Sequence, residues 1–451
     1  MKSLLNRFLA GRHERSLLIY KNIFYSFILK GGVAILGLLI VPLVLNYLDK
    51  EEFGIWNTLS SIVTWFYFLD IGLANGFRNK FTNSMAAKDY HNAKRYLSTT
   101  YALIIIICSL IFIGFEIINP FLNWNSILNS SNLKTDEFNI LIQFVFLFLC
   151  LKMVLSILTT SLIAVHKVAA SGVLELLGSL LSFSGIYFLS NLGSGSLLWV
   201  GLVFSFSPVL VLILATIYFF KRDFSKIKPD FKSIDFSLSS QLFGKGIQFF
   251  ILQIAAMFMF LSNNIIITQL FGPLSVTPFS IVSKLFSIPT MGFTILITPF
   301  WSGFAEAYHK QDHLWIKTTI NKLIKFWLLL ILAMFVFVAI FDFLIKIWIK
   351  TPLEYPFLLV IFNAFFIVIS SWGSIFAQFL NGAGLIRIQF YLSILLAIIS
   401  IPMSLFLCRY LGFGIEGIML SNIICLLPGA FFGPIQYHLI MNKKANGIWT
   451  K

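Results

Sequence analysis

Long apolar runs alternate along this chain with short polar stretches, many of them cationic. The runs fall at roughly 22–46, 53–75, 96–118, 138–163, 169–190 and 196–220, then at roughly 240–270, 279–304, 322–348, 357–380, 388–408 and 418–440. Most are close to the length of about 20 residues that an α-helix needs to cross a bilayer. The pattern predicts an all-α integral membrane protein of about twelve transmembrane helices. The polar segment KRDFSKIKPDFKSIDFS (221–237) interrupts it midway. The expected organisation is an N-terminal six-helix lobe (1–220), a basic cytoplasmic linker (221–239) and a C-terminal six-helix lobe (240–451). Lys30-Gly31 early in the first run and Lys245-Gly246 early in the seventh suggest parallel internal repeats.

Composition agrees with that pattern. Of 451 residues, 58% are hydrophobic and only 11% charged, with mean hydropathy +0.90. A soluble domain carries about a quarter charged residues, so this chain has too few to coat a water-soluble surface. The net charge of +15 would suggest nucleic-acid binding in a soluble protein, but its distribution explains it better. With the N-terminus in the cytoplasm, about 24 Lys and Arg fall in cytoplasmic segments and about 4 outside (Lys50, Lys134, Lys350, Arg409), with about 5 inside spans. That asymmetry supports cytoplasmic N- and C-termini and excludes nucleic acid as the expected partner. Arg7, Arg12, Arg15 and Lys21 break up the N-terminal apolar stretches, which read as a basic amphipathic lead-in rather than a cleavable signal. Cys108, Cys150, Cys408 and Cys425 each sit inside an apolar run and read as core residues.

Lys30, Lys152, Lys245, Lys284, Glu116, Glu175 and Asp342 all sit within the predicted spans. A charge facing lipid at mid-bilayer costs about 2.5–3.5 kcal/mol on insertion scales, so seven would cost roughly 20 kcal/mol. They are expected to face an aqueous cavity or one another, as in a transporter. Lysines outnumber acids, and Arg78 lies just past the second span, so the cavity favours an anionic cargo; Lys acts as a point charge towards phosphate. Lys152 and Lys30 are the deepest, whereas Lys245, Lys284 and above all Lys346 lie near span ends from which a long stem can snorkel. Glu175 is a structural partner for Lys152 or an ion-coupling carboxylate, and Glu116 and Asp342 are the other in-span carboxylates available for coupling. Asp70 reads as a gate or structural charge.

The segment FLDIGLANGFRNKFT (68–82) combines a small-xxx-small spacing at Gly72 and Gly76, which permits close helix contact, with a polar exit at Asn75, Arg78, Asn79 and Lys80. Gly272-Pro273, Pro289, Pro299 and Pro402 are candidate hinges or kinks. His309 and His313 have metal-pair spacing but lie in a polar loop without an intervening Glu. No Gly-rich phosphate loop with Lys and Ser/Thr occurs, and no cofactor is expected.

The runs SFILKGG (26–32), VPLVLNYLDKEEFGIWNTLSSIVTWF (41–66), FLDIGLANGFRNK (68–80) and AKRYLSTTYA (93–102) resemble the N-terminal half of Wzx-type O-antigen and polysaccharide flippases. TQLFGPLSVTPFSIVSKLF (268–286) is similar to their loop between the seventh and eighth spans. These flippases belong to the multidrug/oligosaccharidyl-lipid/polysaccharide exporter superfamily. The resemblance implies two six-helix lobes around a central cavity in a bacterial inner membrane. The implied cargo is an undecaprenyl-pyrophosphate-linked oligosaccharide, moved from the cytoplasmic to the periplasmic leaflet by alternating access. It also implies a monomer in contact with membrane lipid, with transient contact to polysaccharide polymerase machinery. Lys30, Arg78, Lys152, Lys245 and Lys284 become the expected substrate-binding residues. Two alternatives stand beside this one: a multidrug or cation exporter of the same superfamily, and a membrane enzyme of polysaccharide assembly. An exporter of cations would be expected to centre on acidic residues. An enzyme would need more reactive groups than the longest outer loop (119–137) supplies.

Overall fold

A computed structural model describes residues 14–66, 73–130, 135–165, 167–193, 195–243, 250, 253–298, 300–350 and 352–450. The described residues form helices and no strands. In chain order the main helices are α1 (Glu14–Tyr47), α2 (Lys50–Phe66), α3 (Leu73–Ala86), α4 (Tyr90–Ile118), α5 (Thr135–Ala164), α6 (Val168–Ser190) and α7 (Leu197–Lys221). There follow α8 (Asn263–Phe271), α9 (Val276–Ile297), α10 (Phe300–His309), α11 (His313–Ala339), α12 (Phe341–Ile349), α13 (Phe357–Ala383), α14 (Arg387–Leu405) and α15 (Glu416–Met441).

Eleven helices among the described residues are long and apolar enough to cross a membrane. They match eleven of the runs read from the sequence. The remaining run, 53–75, includes residues 67–72, which lie outside the described residues; α2 and α3 flank them. Local chemistry sets several helix ends. Asp89 accepts from the Asn92 N–H at 3.0 Å and caps α4, the N-cap interaction that satisfies an orphan amide. Gly384 ends α13 in the left-handed conformation (φ 74°), which glycine adopts without a Cβ clash.

The ninth span departs from expectation. Asp312 accepts from the Trp315 N–H at 3.0 Å, so α11 begins at His313 rather than near residue 322. Lys317, ahead of the apolar run, rides on its exposed surface, as do Lys322 and Lys325. The helix ends at Ala339, and Asp342 and Lys346 fall on the separate α12. The same displacement affects the eighth span, which starts at Pro273 and ends at Ile297; α10 is a distinct helix.

The chain divides into two compact units. The first comprises the described residues within Met1–Tyr47, Leu69–Leu122 and Lys134–Ile247, and the second those within Leu48–Phe68, Asn123–Leu133 and Gln248–Lys451. In the first unit α1 lies along α6, and α5 packs on α7. Leu29 meets Gly172 and Leu176 meets Gly32, so α1 and α6 run parallel. Phe77, Phe81, Phe146 and Phe224 are fully buried there. In the second unit α13 packs along α15 and against α10, around Phe304, Phe376, Phe379 and Tyr437.

Helix α2 belongs to the second unit although it lies early in the chain. It packs on α8 and α9. Contact is closest at Gly54, where an added Cβ would stand 1.9 Å from the Pro273 carbonyl oxygen. No other residue fits there.

The polar stretch after α7 forms three single-turn helices (Ser225–Ile227, Phe231–Ser233, Phe236–Leu238) bound to the start of α4 in the first unit. Ser98 Oγ accepts from the Asp230 N–H at 3.0 Å, and Thr99 Oγ1 from the Asp235 N–H at 2.9 Å. Lys94 pairs with Asp230 at 3.3 Å and Arg95 with Asp235.

Candidate functional site

In the first unit Lys152 sits near the middle of the span Asp136–Ala164. It is half-buried, and the Glu175 carboxylate on α6 acts on its charge. The structure thus brings these two sequence-chosen residues together. Lys30 is exposed on α1. The contacts of Leu29 with Gly172 and Gly32 with Leu176 set it level with the turn of α6 that carries Glu175. One lysine is therefore coupled to this carboxylate, and a second rides at its height on the neighbouring helix.

Arg78 is exposed on α3, at the flank of an apolar face in which Leu73, Phe77 and Phe81 are buried. Thr82 Oγ1 donates to the Ala164 carbonyl at 3.1 Å, tying α3 to the end of α5. Gly76 supports the close-contact reading. A Cβ there would stand 1.6 Å from the Leu242 carbonyl oxygen, so backbone meets backbone. Asp70, Gly72 and Lys245 lie outside the described residues.

Glu116 lies near the end of α4 and accepts from Gln143 Nε2 at 3.4 Å, while its other oxygen is buried without a partner. An unpaired buried acceptor is costly.

In the second unit Lys284 lies close to the middle of the span Pro273–Ile297, not near its end. It is exposed and makes no ion pair among the described residues. With the span starting at Pro273, Lys284 has about 16 Å of helix on one side and about 20 Å on the other. Snorkelling from such a depth is the least available of the readings. Asp342 is on α12 rather than inside a long apolar helix, and it accepts from Tyr355 Oη at 2.5 Å. Burial, then the bond to Asp342, pushes the Tyr355 phenol up from its ordinary range.

A polar seam that the sequence reading did not identify runs between α2 and α8 in the second unit. The hydroxyls of Thr58 and Thr268 lie 2.7 Å apart, and Asn264 Nδ2 donates to Ser61 Oγ at 2.9 Å. Thr277 Oγ1 donates to the Lys50 carbonyl at 2.5 Å. Asn129 Nδ2 donates to the Thr268 carbonyl at 3.0 Å, and Gln269 Nε2 to the carbonyls of Ser126 and Ile127. One turn beyond Ser61, Trp65 stands 6.1 Å from Phe258. Phe258 lies in a π-helical turn (Met257–Leu261), a departure from regular helix that often marks a functional site. Trp65 Nε1 and the hydroxyl of Ser262, which directly follows the π-helical turn, are buried without partners. The signal for this seam was present as polar residues on one side of span two (Asn57, Ser61, Thr64) and in NNIIITQ (263–269).

Among the described residues no cluster of His, Cys, Asp or Glu has the makings of a metal site. The four cysteines are free and buried. The described site residues offer charge, hydroxyls, amides and aromatic faces within a membrane bundle.

Residues 19–303 match the polysaccharide biosynthesis protein family. A Yersinia pseudotuberculosis protein named for O-antigen export is 24% identical over 374 residues, covering 77% of this chain and 79% of its own length. A Salmonella typhi protein named for O-antigen transport is 22% identical over 445 residues, covering 96% and 98%. Among solved structures, an inward-facing multidrug resistance MATE transporter of the MOP superfamily superposes with TM-score 0.77 at 13% identity, over 92% of this chain and 96% of its own. A MOP superfamily transporter from Pyrococcus furiosus, described as having a binding pocket of reverse polarity, superposes with TM-score 0.68 at 14% identity, over 95% and 96%. The fold is that of the MATE transporters.

Proposed function

The chain belongs to the polysaccharide biosynthesis protein family, and on that premise we propose that it flips an undecaprenyl-pyrophosphate-linked oligosaccharide from the cytoplasmic to the periplasmic leaflet of a bacterial inner membrane. The observation that carries this reading is the pair of lysines near mid-span, Lys152 and Lys284, one in each unit. Each costs about 2.5–3.5 kcal/mol at that depth unless it meets water or an anion. A pyrophosphate headgroup supplies the anion, and Lys30 and Arg78 add cationic charge in the first unit.

The headgroup and glycan cross through the protein by alternating access while the lipid tail stays in the bilayer. The half-buried Asn57, Ser61 and Asn264 at the edge of the α2–α8 seam, with the Trp65–Phe258 pair, offer hydrogen bonds and an aromatic face to a sugar. Glu116 and Glu175 are carboxylates within spans that are available to couple an ion.

The test is genetic replacement in a flippase-null strain that makes the cognate lipid-linked glycan. Wild type is expected to restore surface glycan, and Lys152→Ala and Lys284→Ala at matched expression are expected not to. If wild type restores no glycan but confers resistance to cationic drugs, the multidrug-exporter reading replaces this one.

A further inference from the structure

The strap after α7 sets exposed cations and aromatic rings beside anchored acids. Residues 221–236 contain five cations (Lys221, Arg222, Lys226, Lys228, Lys232) and three acids (Asp223, Asp230, Asp235). Each acid is paired with a cation from outside the strap: Asp223 with Lys167 at 3.1 Å, Asp230 with Lys94 at 3.3 Å and Asp235 with Arg95. The acids thus serve to hold the strap against the first unit, and all five strap cations remain exposed.

The apolar residues divide in the same manner. Phe224 and Ile227 are 2% exposed and anchor the strap, whereas Phe231 is 91% exposed and Phe236 53%. The bias that places lysines in cytoplasmic loops explains cations here. It explains neither an almost bare phenyl ring nor the commitment of every acid to the protein side. The strap also begins where α7 ends, at Lys221, and so lies at the level of the lipid headgroups.

We infer that this strap is a docking surface for anionic phospholipid headgroups, with the Phe231 ring dipping below them. A basic segment beside a spanning helix is attracted to an anionic leaflet by about 1 kcal/mol per cation, a factor of about five each. An aromatic ring is at home at the membrane–water interface. The ion pairs to α4 matter because a surface already held in place binds without the entropy loss that an unstructured basic loop would incur. An acidic protein partner would match the charge, but the nearest phase that takes up a bare phenyl ring is the bilayer from which α7 has just emerged.

The test uses the full chain in lipid nanodiscs. The four native cysteines are buried, so an environment-sensitive fluorophore introduced through Phe231→Cys reports from one position. In discs containing phosphatidylglycerol its emission is expected to shift to the blue and its quenching by an aqueous anion to fall, relative to pure phosphatidylcholine. Adding K226Q/K228Q/K232Q is expected to remove most of that difference, and high salt to reduce it. A fluorophore equally water-exposed in both lipids overturns the inference and points to a soluble acidic partner. A shift of equal size in both lipids, indifferent to the lysine changes, overturns the headgroup assignment as well. The readout does not depend on transport, so failure here leaves the flippase reading untouched.

Discussion

Lys284 and Lys152 are where a single side chain should matter most. Lys284→Ala and Lys152→Ala should each lower surface glycan in replacement assays by about tenfold or more, equivalent to about 1.4 kcal/mol of lost stabilisation, with protein abundance unchanged. The depth of Lys284 was only partly legible in the sequence. The apolar count placed it near a span end, because the start of the eighth helix is hidden in the Gly272-Pro273 turn. Thr58 makes a different point. Its hydroxyl lies 2.7 Å from that of Thr268 at a site with no exposure to solvent, so Thr58→Val removes one buried hydrogen bond while Thr268 keeps its bond to the Asn264 carbonyl. A loss of about 0.5–1.5 kcal/mol is expected, read as a lower melting temperature in detergent. No property of Thr58 by itself announced this, since a lone threonine in a span is ordinary. What mattered was the helix facing it, more than two hundred residues further along the chain.

At the scale of elements, two glycines fix how helices approach. Gly76→Leu would drive a side chain into the Leu242 carbonyl, and Gly54→Leu into that of Pro273. Overpacking a core costs about 1–3 kcal/mol even when side chains can yield, and here the obstacle is backbone. Both variants should fold poorly, measured as loss of the monodisperse peak in size-exclusion chromatography, while Gly292→Ala, which meets nothing within 4 Å, should not. Gly76 was legible from its small-xxx-small spacing, but Gly54 carries no local motif. The strap makes an acid prediction. Hydrogen bonds from the Lys232 amide and then Lys94 lower the Asp230 pKa, and bonds from Ser237 and then Arg95 lower that of Asp235. A lowered carboxylate contributes stability above its unfolded pKa and loses it as pH falls through the folded value. The strap should therefore stay protected at pH 5 and above and open below about pH 4. Amide exchange over residues 225–238 in detergent checks this, and Asp235→Asn should abolish part of the protection at neutral pH.

For the whole molecule, hydropathy sufficed to find the spans, because lipid imposes the same length on each and leaves little room for alternatives. It misjudged the eighth and ninth. There Asp312 and the Gly272-Pro273 turn set the helix ends, and Lys317 masked the first turns of α11. Nor did it show α2 packing with the second unit, since chain order does not report which helices touch. The charge asymmetry predicts cytoplasmic termini. Reporter fusions after residue 228 and at the C-terminus should be active only in cytoplasmic form, and a periplasmic signal at either would reverse the topology.

The central claim is transfer of a lipid-linked glycan between leaflets. Its most direct measurement uses purified protein in proteoliposomes carrying the cognate undecaprenyl-pyrophosphate-linked oligosaccharide, with leaflet position read by an impermeant glycosidase. The account predicts that wild type exposes glycan initially confined to the protected leaflet and that Lys284→Ala does so far more slowly. Folded wild-type protein that leaves the cognate glycan protected indefinitely would contradict it.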